Sequence, residues 1–391
     1  MKKAEFYTSA IILLNACVFF TGVPIIVNFT MEIISLLLIF NVLYYLEKAK
    51  DISKNRANFC TNLLFIILIY IIFGYTYALS KSNVLTFSLR FLVYFFQLKF
   101  IYSPSLLKKI LRSVLIVGSL LSFTIFIDFF FFSRNNPSGI FEDYQRSGEA
   151  MSILATISST LFIFNLEKKD KKLNTFALIV SILALLIIGK RMFIILPLIC
   201  LLITYFLKYR AHVNLKIISL IVLSIFTVVL LYFMFPNISN TINAFIEKSG
   251  DSILTNREIF WNYAIDIFND NKIFGIGFNS YPTYLQNLNS PLVPAWAAHN
   301  IYLQLLADTG LIGFTLFMML FISTLIYSLK YVIKYRYTPL IYVGLSFQIW
   351  FLIYGISGNP LYLAEEFYFY IFGIICVFSC VNYYKKGVKY E

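Results

Sequence analysis

What most restricts the fold of this 391-residue chain is a series of apolar runs, each long enough to cross a bilayer. A spanning helix needs about 20 predominantly apolar residues. Roughly twelve such runs occur, at 6–23, 26–46, 58–79, 84–103, 113–133, 150–166, 174–189, 192–207, 216–235, 301–329, 339–357 and 367–384. Hydrocarbon offers no water to the backbone, so runs of this kind must satisfy their own amides as helices. Only 13% of the residues are charged, against about a quarter in soluble domains. The expected fold is an all-α integral membrane protein, with about 12 transmembrane helices and a large external loop containing short helices.

Between the runs the basic residues alternate. With the N-terminus placed in the cytoplasm, inside segments hold Lys2, Lys3; Lys48, Lys50, Lys54, Arg56; Lys99, Lys108, Lys109, Arg112; Lys168, Lys169, Lys171, Lys172; Lys208, Arg210, Lys216; Lys330, Lys334, Arg336; and Lys385, Lys386, Lys389. That is most of the 32 cationic side chains, and it follows the positive-inside rule with both termini cytoplasmic. The net charge of +13 is thus an orientation signal and not a nucleic-acid footprint. The opening Met1-Lys2-Lys3 and its apolar run resemble a signal peptide but lack a small-x-small cleavage site, so a retained first helix is expected. Cys17, Cys60, Cys200, Cys376 and Cys380 lie in or beside apolar runs without paired-ligand spacing, so neither disulfides nor a metal site is expected.

One external segment is far longer than the others. It divides the chain into an N-terminal bundle (1–235), a loop (236–300) and C-terminal helices (301–391). Within the loop, Thr255 and Glu258 form a capping box, and Ile259, Phe260, Tyr263, Ala264, Ile267 and Phe268 follow the helical period. That helix is expected on the membrane surface or packed on the bundle. Gly275–Gly277, Pro282, Pro291 and Pro294 then signal turns. The loop ends at His299, one of 2 histidines in the chain. Asn300 is a good N-cap for the following helix, on which Gly310 and Gly313, three apart, form a small-residue face for another membrane helix.

Cationic residues outside the inside segments are candidates for chemistry. Lys190–Arg191 interrupts two apolar runs at an external hairpin, where the positive-inside bias disfavours a basic pair. Arg257 opens the amphipathic helix, a poor place for a cation unless a carboxylate or an anionic ligand holds it. Arg90 sits within the fourth apolar run, where a charge is costly and by default functional. Glu142, Asp143, Glu149, Asp251, Asp266, Asp270, Asp308, Glu365 and Glu366 are external carboxylates, most of them expected to be solvated. A neutral histidine can take a proton from a hydroxyl, and arginine forks bind phosphate oxygens bidentately. Together they suit attack by an alcohol on a carbon bearing a diphosphate. The arginines would stabilise the leaving charge, so no metal or other cofactor is required. A diphosphate on the outer membrane face is most simply a lipid carrier.

His299-Asn300, nine residues, then Gly310-x-x-Gly313 resembles the pattern of bacterial O-antigen ligases and the related Wzy-type polysaccharide polymerases. Arg257-x3-Trp261, Phe274–Gly277, Ala298–Gln304 and the mid-chain Arg191 are similar to the same superfamily. The resemblance implies a GT-C-like glycosyltransferase of the bacterial cytoplasmic (inner) membrane. Its donor would be an undecaprenyl-diphosphate-linked oligosaccharide, with membrane lipids, chain-length regulator and flippase proteins as partners and no nucleic acid. By carry-over, His299 is the base or orients the acceptor, and Arg191, Arg257 and Lys190 hold the diphosphate, with Asn300 and Arg90 supporting. A polymerase for O-antigen or capsule transfers the glycan to another lipid-linked repeat unit. A ligase transfers it to lipid A-core of lipopolysaccharide. Many ligase motifs carry Thr where Phe314 stands, which favours the polymerase, as does the AT-rich character of the composition. A lipid-linked oligosaccharide flippase is the remaining alternative; nearly charge-free spans and a long external loop argue against it.

Overall fold

The computed structural model describes residues 2–20, 23, 29–48, 59–100, 102–132, 136–141, 143–164, 166–209, 257–288 and 297–385. Every regular element among them is a helix: α1 Lys2–Phe19, α2 Thr30–Lys48, α3 Phe59–Gly74, α4 Lys81–Gln97, α5 Pro104–Phe132, α6 Tyr144–Phe162, α7 Lys168–Ile188, α8 Arg191–Tyr209, α9 Arg257–Asp270, α10 Tyr281–Asn287, α11 Ile301–Lys334, α12 Pro339–Tyr354 and α13 Ala364–Lys385. Each expected run thus overlaps a helix, with ends shifted by up to nine residues, as where the helix over the run at 113–133 begins at Pro104. The exceptions are the run at 216–235 and the capping-box Thr255, which lie outside the described residues. α5, α7, α8, α11 and α13 are long and apolar enough to cross a membrane, and α1, α2, α3 and α12 contain shorter apolar helices. The chain is a multi-pass membrane protein.

One continuous core joins the early and late helices, from Ile11 of α1 to Val381 of α13. α13 lies at its centre, with its apolar window wholly buried. α12 and α13 cross closely at a pair of glycines. There a Cβ on Gly344 would meet the Gly373 carbonyl oxygen at 2.5 Å, and one on Gly373 would meet that of Gly344 at 2.8 Å. Without a hydrophobic drive between helices in lipid, such backbone approach and the van der Waals contact it permits hold the pair together. Aromatic rings fill the space around it, as with Phe19 on Phe369 (4.6 Å) and Phe351 on Tyr370 (4.7 Å).

Helix ends sort to two sides of the bundle. On one side the Leu79 amide donates to the Ile276 carbonyl (3.1 Å), Gln145 Nε2 to the Tyr354 hydroxyl (3.4 Å) and the Ile301 amide to the Gly355 carbonyl (2.9 Å). On the other, the buried Lys208 ammonium caps the Ile163 carbonyl, and Thr338 meets the Tyr384 hydroxyl (2.6 Å). The described parts of the segments expected outside gather on the first side.

The expected glycine face of α11 does not exist. Gly310 has φ 58° and ψ −166°, so the helix breaks there. A Cβ on Gly310 would meet Ile273 backbone at 2.4 Å, and one on Gly313 would meet the Tyr70 ring at 2.5 Å. What approaches Gly310 is the turn before Gly277, whereas Gly313 faces Tyr70 of the apolar helix α3. At the break, the Leu311 amide donates to the Lys272 carbonyl (2.8 Å), and the Ile276 and Gly277 amides to the carbonyls of Ala307 (3.1 Å) and Asp308 (2.8 Å). The break opens backbone groups that a regular helix would consume, and the turn takes them up.

Candidate active site

α9, the Phe274–Gly277 turn and α10 form a small core of their own on the first turns of α11. Phe260, Ala264, Ile267, Ile276, Tyr281, Leu285, Ala298 and Ala307 make it up. The buried face of α9 is narrower than the sequence pattern implied, because Ile259 is 44% exposed. Asp308, fully buried, locks this assembly. Its carboxylate accepts the amides of Asn279 (3.1 Å), Ser280 (3.1 Å) and Tyr281 (2.8 Å). The Tyr281 hydroxyl in turn donates to the Phe260 carbonyl (2.6 Å).

His299 sits between this small core and α11. Asn300 caps α11 as its residue type predicts, its Oδ1 accepting from Tyr302 (3.0 Å) and Leu303 (3.2 Å). His299 has φ 52°, a left-handed backbone that side chains with a Cβ rarely adopt. Its ring lies edge-on to Phe260 with centroids 6.5 Å apart. Burial pulls its pKa below the usual histidine value, and Arg257 and Lys190 pull it further in the same direction. The imidazole is therefore neutral at pH 7, and its neutral ring is the form that accepts a proton.

The same electrostatics bring two of the candidate cations to the histidine. Arg257 is the first residue of α9 and Arg191 the first of α8. Lys190 precedes Arg191 in the two-residue connection from α7, its ammonium 4.1 Å from the centre of the Tyr144 ring. Two cations at helix N-termini stand where the helix dipoles favour an anion. Arg90 lies elsewhere. Its guanidinium donates to the Tyr362 carbonyl (3.3 Å) and packs on Phe87 (4.6 Å), which ties α4 to the loop between α12 and α13.

The expectation that most external carboxylates are solvated is wrong for four of those named. Asp308 is one, and Glu149, Glu365 and Glu366 are also buried. Arg146 pairs with Glu365 and lies 3.6 Å from Glu149, which accepts from the Tyr354 hydroxyl (2.8 Å) and Gln145 Nε2 (3.2 Å). The signal missed was the company Glu149 keeps. It lies in the second turn of a helix whose every residue from Ser147 to Leu161 is buried, so an ionisable group there needed partners.

Residues 176–318, from within α7 to the middle of α11, match the family model Wzy_C, described as O-antigen ligase. Over this segment the chain is similar to the O-antigen ligase family. The family covers O-antigen ligases and related polymerases, enzymes of the membrane-glycosyltransferase kind. The matched segment contains Lys190, Arg191, Arg257, His299, Asn300 and Gly310. No curated protein matches the chain.

Proposed function

We propose that the protein is a repeat-unit polymerase of the cytoplasmic membrane, with both termini inside and 236–300 outside. A sugar hydroxyl of one lipid-linked repeat unit attacks the anomeric carbon of another. The new glycosidic C–O bond forms as the bond from that carbon to the diphosphate oxygen breaks. The lipid diphosphate leaves with the bonding pair, and His299 takes the hydroxyl proton. Arg257, Arg191 and Lys190 hold the diphosphate and meet its growing charge, the role a divalent metal fills elsewhere. Asn300 fixes the start of α11 beside the base, and Arg90 supports the neighbouring loop. What supports this reading is His299 at the start of α11 with its pKa lowered by burial and, after that, by Arg257 and Lys190.

The family description favours a second reading, in which the acceptor is lipid A-core and the chain is a ligase. One experiment separates them. Purified protein is given undecaprenyl-diphosphate-linked repeat units alone, in excess chelator, and then with lipid A-core added. Ladders in the first arm establish a polymerase. Product in the second arm only establishes the ligase, and product in neither refutes both.

A further inference from the structure

The residue preceding His299 is held at both of its peptide groups. The Ala298 amide donates to Gln304 Oε1 (3.1 Å), and the Ala298 carbonyl, in the peptide that joins it to His299, accepts from Trp261 Nε1 (3.0 Å). Gln304 is fully buried and committed on all sides. Its Oε1 also accepts from Asn359 (2.9 Å), and its Nε2 reaches Asp308 (3.5 Å). The grip therefore joins α9, α11 and the loop after α12. A residue held at φ 52° does not stay there by its own preference; surrounding contacts must impose it.

We propose that Trp261 and Gln304 are positioning residues, a two-sided clamp that sets the imidazole of His299 between Arg257, Lys190 and the acceptor. The inference rests on the reading of His299 as the base. Neither side chain touches the reacting atoms; both act through the backbone of Ala298. General-base catalysis is steep in geometry, and a displacement of about 1 Å costs roughly a hundredfold in rate.

The test uses Trp261→Phe, which removes one N–H and keeps a ring, and Gln304→Leu. Turnover of lipid-linked repeat units is measured for each beside His299→Ala. Separately, in full-length His212→Gln protein, where His299 is the sole histidine, the pH dependence of its acylation by diethyl pyrocarbonate reports the proton affinity of the imidazole. The clamp requires kcat to fall about 10- to 100-fold with the donor KM unchanged. It also requires the acylation midpoint to rise, as the ring leaves burial and its two cations. Lower kcat with an unmoved midpoint means that the residues serve the fold elsewhere, and it overturns the clamp. So does an unchanged kcat, whatever the midpoint. If Gln304→Leu does not accumulate, Trp261→Phe decides alone by the same criteria. Full turnover by His299→Ala sinks the base itself and the clamp with it, whereas an inactive His299→Ala beside normal clamp variants sinks only the clamp.

Discussion

Replacing His299 by glycine and by alanine separates what the residue does for turnover from what it does for the fold. Both substitutions delete the base, and general-base catalysis contributes typically 10²–10⁴-fold, about 2.7 to 5.4 kcal/mol at 1.36 kcal/mol per decade. Both also lose the edge-on contact with Phe260, worth about 0.5–1.5 kcal/mol. They differ in backbone. At φ 52° alanine keeps a left-handed penalty of about 1–2 kcal/mol. Glycine escapes it but carries about 0.4–1 kcal/mol more unfolded-state entropy. The glycine variant is therefore expected to be the more stable of the two by about 0.5–1 kcal/mol, while the two are equally inactive. Unfolding in mixed detergent micelles measures the first quantity, and ladder formation from lipid-linked repeat units the second. A glycine variant that polymerises normally refutes the role of the imidazole. An alanine variant as stable as the glycine one refutes the strained backbone.

Four further outcomes follow from the same geometry. Arg257→Ala and Arg191→Ala should each weaken binding of the lipid-diphosphate donor, with Lys restoring only part because the bidentate fork is lost; unaltered binding in both removes them from the site. Wild-type turnover should fall as pH drops through the lowered pKa of His299. Lys190→Met removes a like charge and raises that pKa, so the fall should begin at a higher pH, and a shift to lower pH contradicts the assignment. Gly310→Ala places a Cβ against Ile273 in a backbone region that costs about 1–3 kcal/mol for other residues, and normal thermal stability would argue against the break in α11. A cysteine at the exposed Asn262 should react with an impermeant thiol reagent on intact cells, and protection would reverse the topology.

Length and period made the helices legible, because a run of apolar residues about 20 long has one outcome in lipid. The cap at Asn300 was legible for a similar reason, since its side chain acts on amides two and three residues away. Gly310 was misread. Its spacing from Gly313 fits a helix face, and what overrides the helix is a turn more than thirty residues earlier whose amides need the carbonyls of Ala307 and Asp308. Nothing local announces such a pairing. The partners of Arg146 and Glu149 were hidden likewise, because Glu365 comes to Arg146 and Tyr354 to Glu149 from helices about two hundred residues on. Lys190 and Arg257 were named from residue types that share one task; that both lower the proton affinity of His299 depends on their placement, which no local pattern announces.

The two cations beside His299 have a thermodynamic consequence. They make the free enzyme's base weak by repelling its proton. A dianionic diphosphate bound on them cancels that repulsion, so on the proposed reading donor binding raises the proton affinity of the histidine. Linkage makes the effect mutual: a protonated imidazole tightens the grip on the diphosphate as much as the diphosphate tightens the grip on the proton. The base then gains strength when a donor is present, and idles as a weak one when it is not. After transfer, the proton on His299 and the lipid diphosphate hold each other in place. Loss of that proton to the outside would then be the event that loosens the spent carrier, which couples product release to external pH.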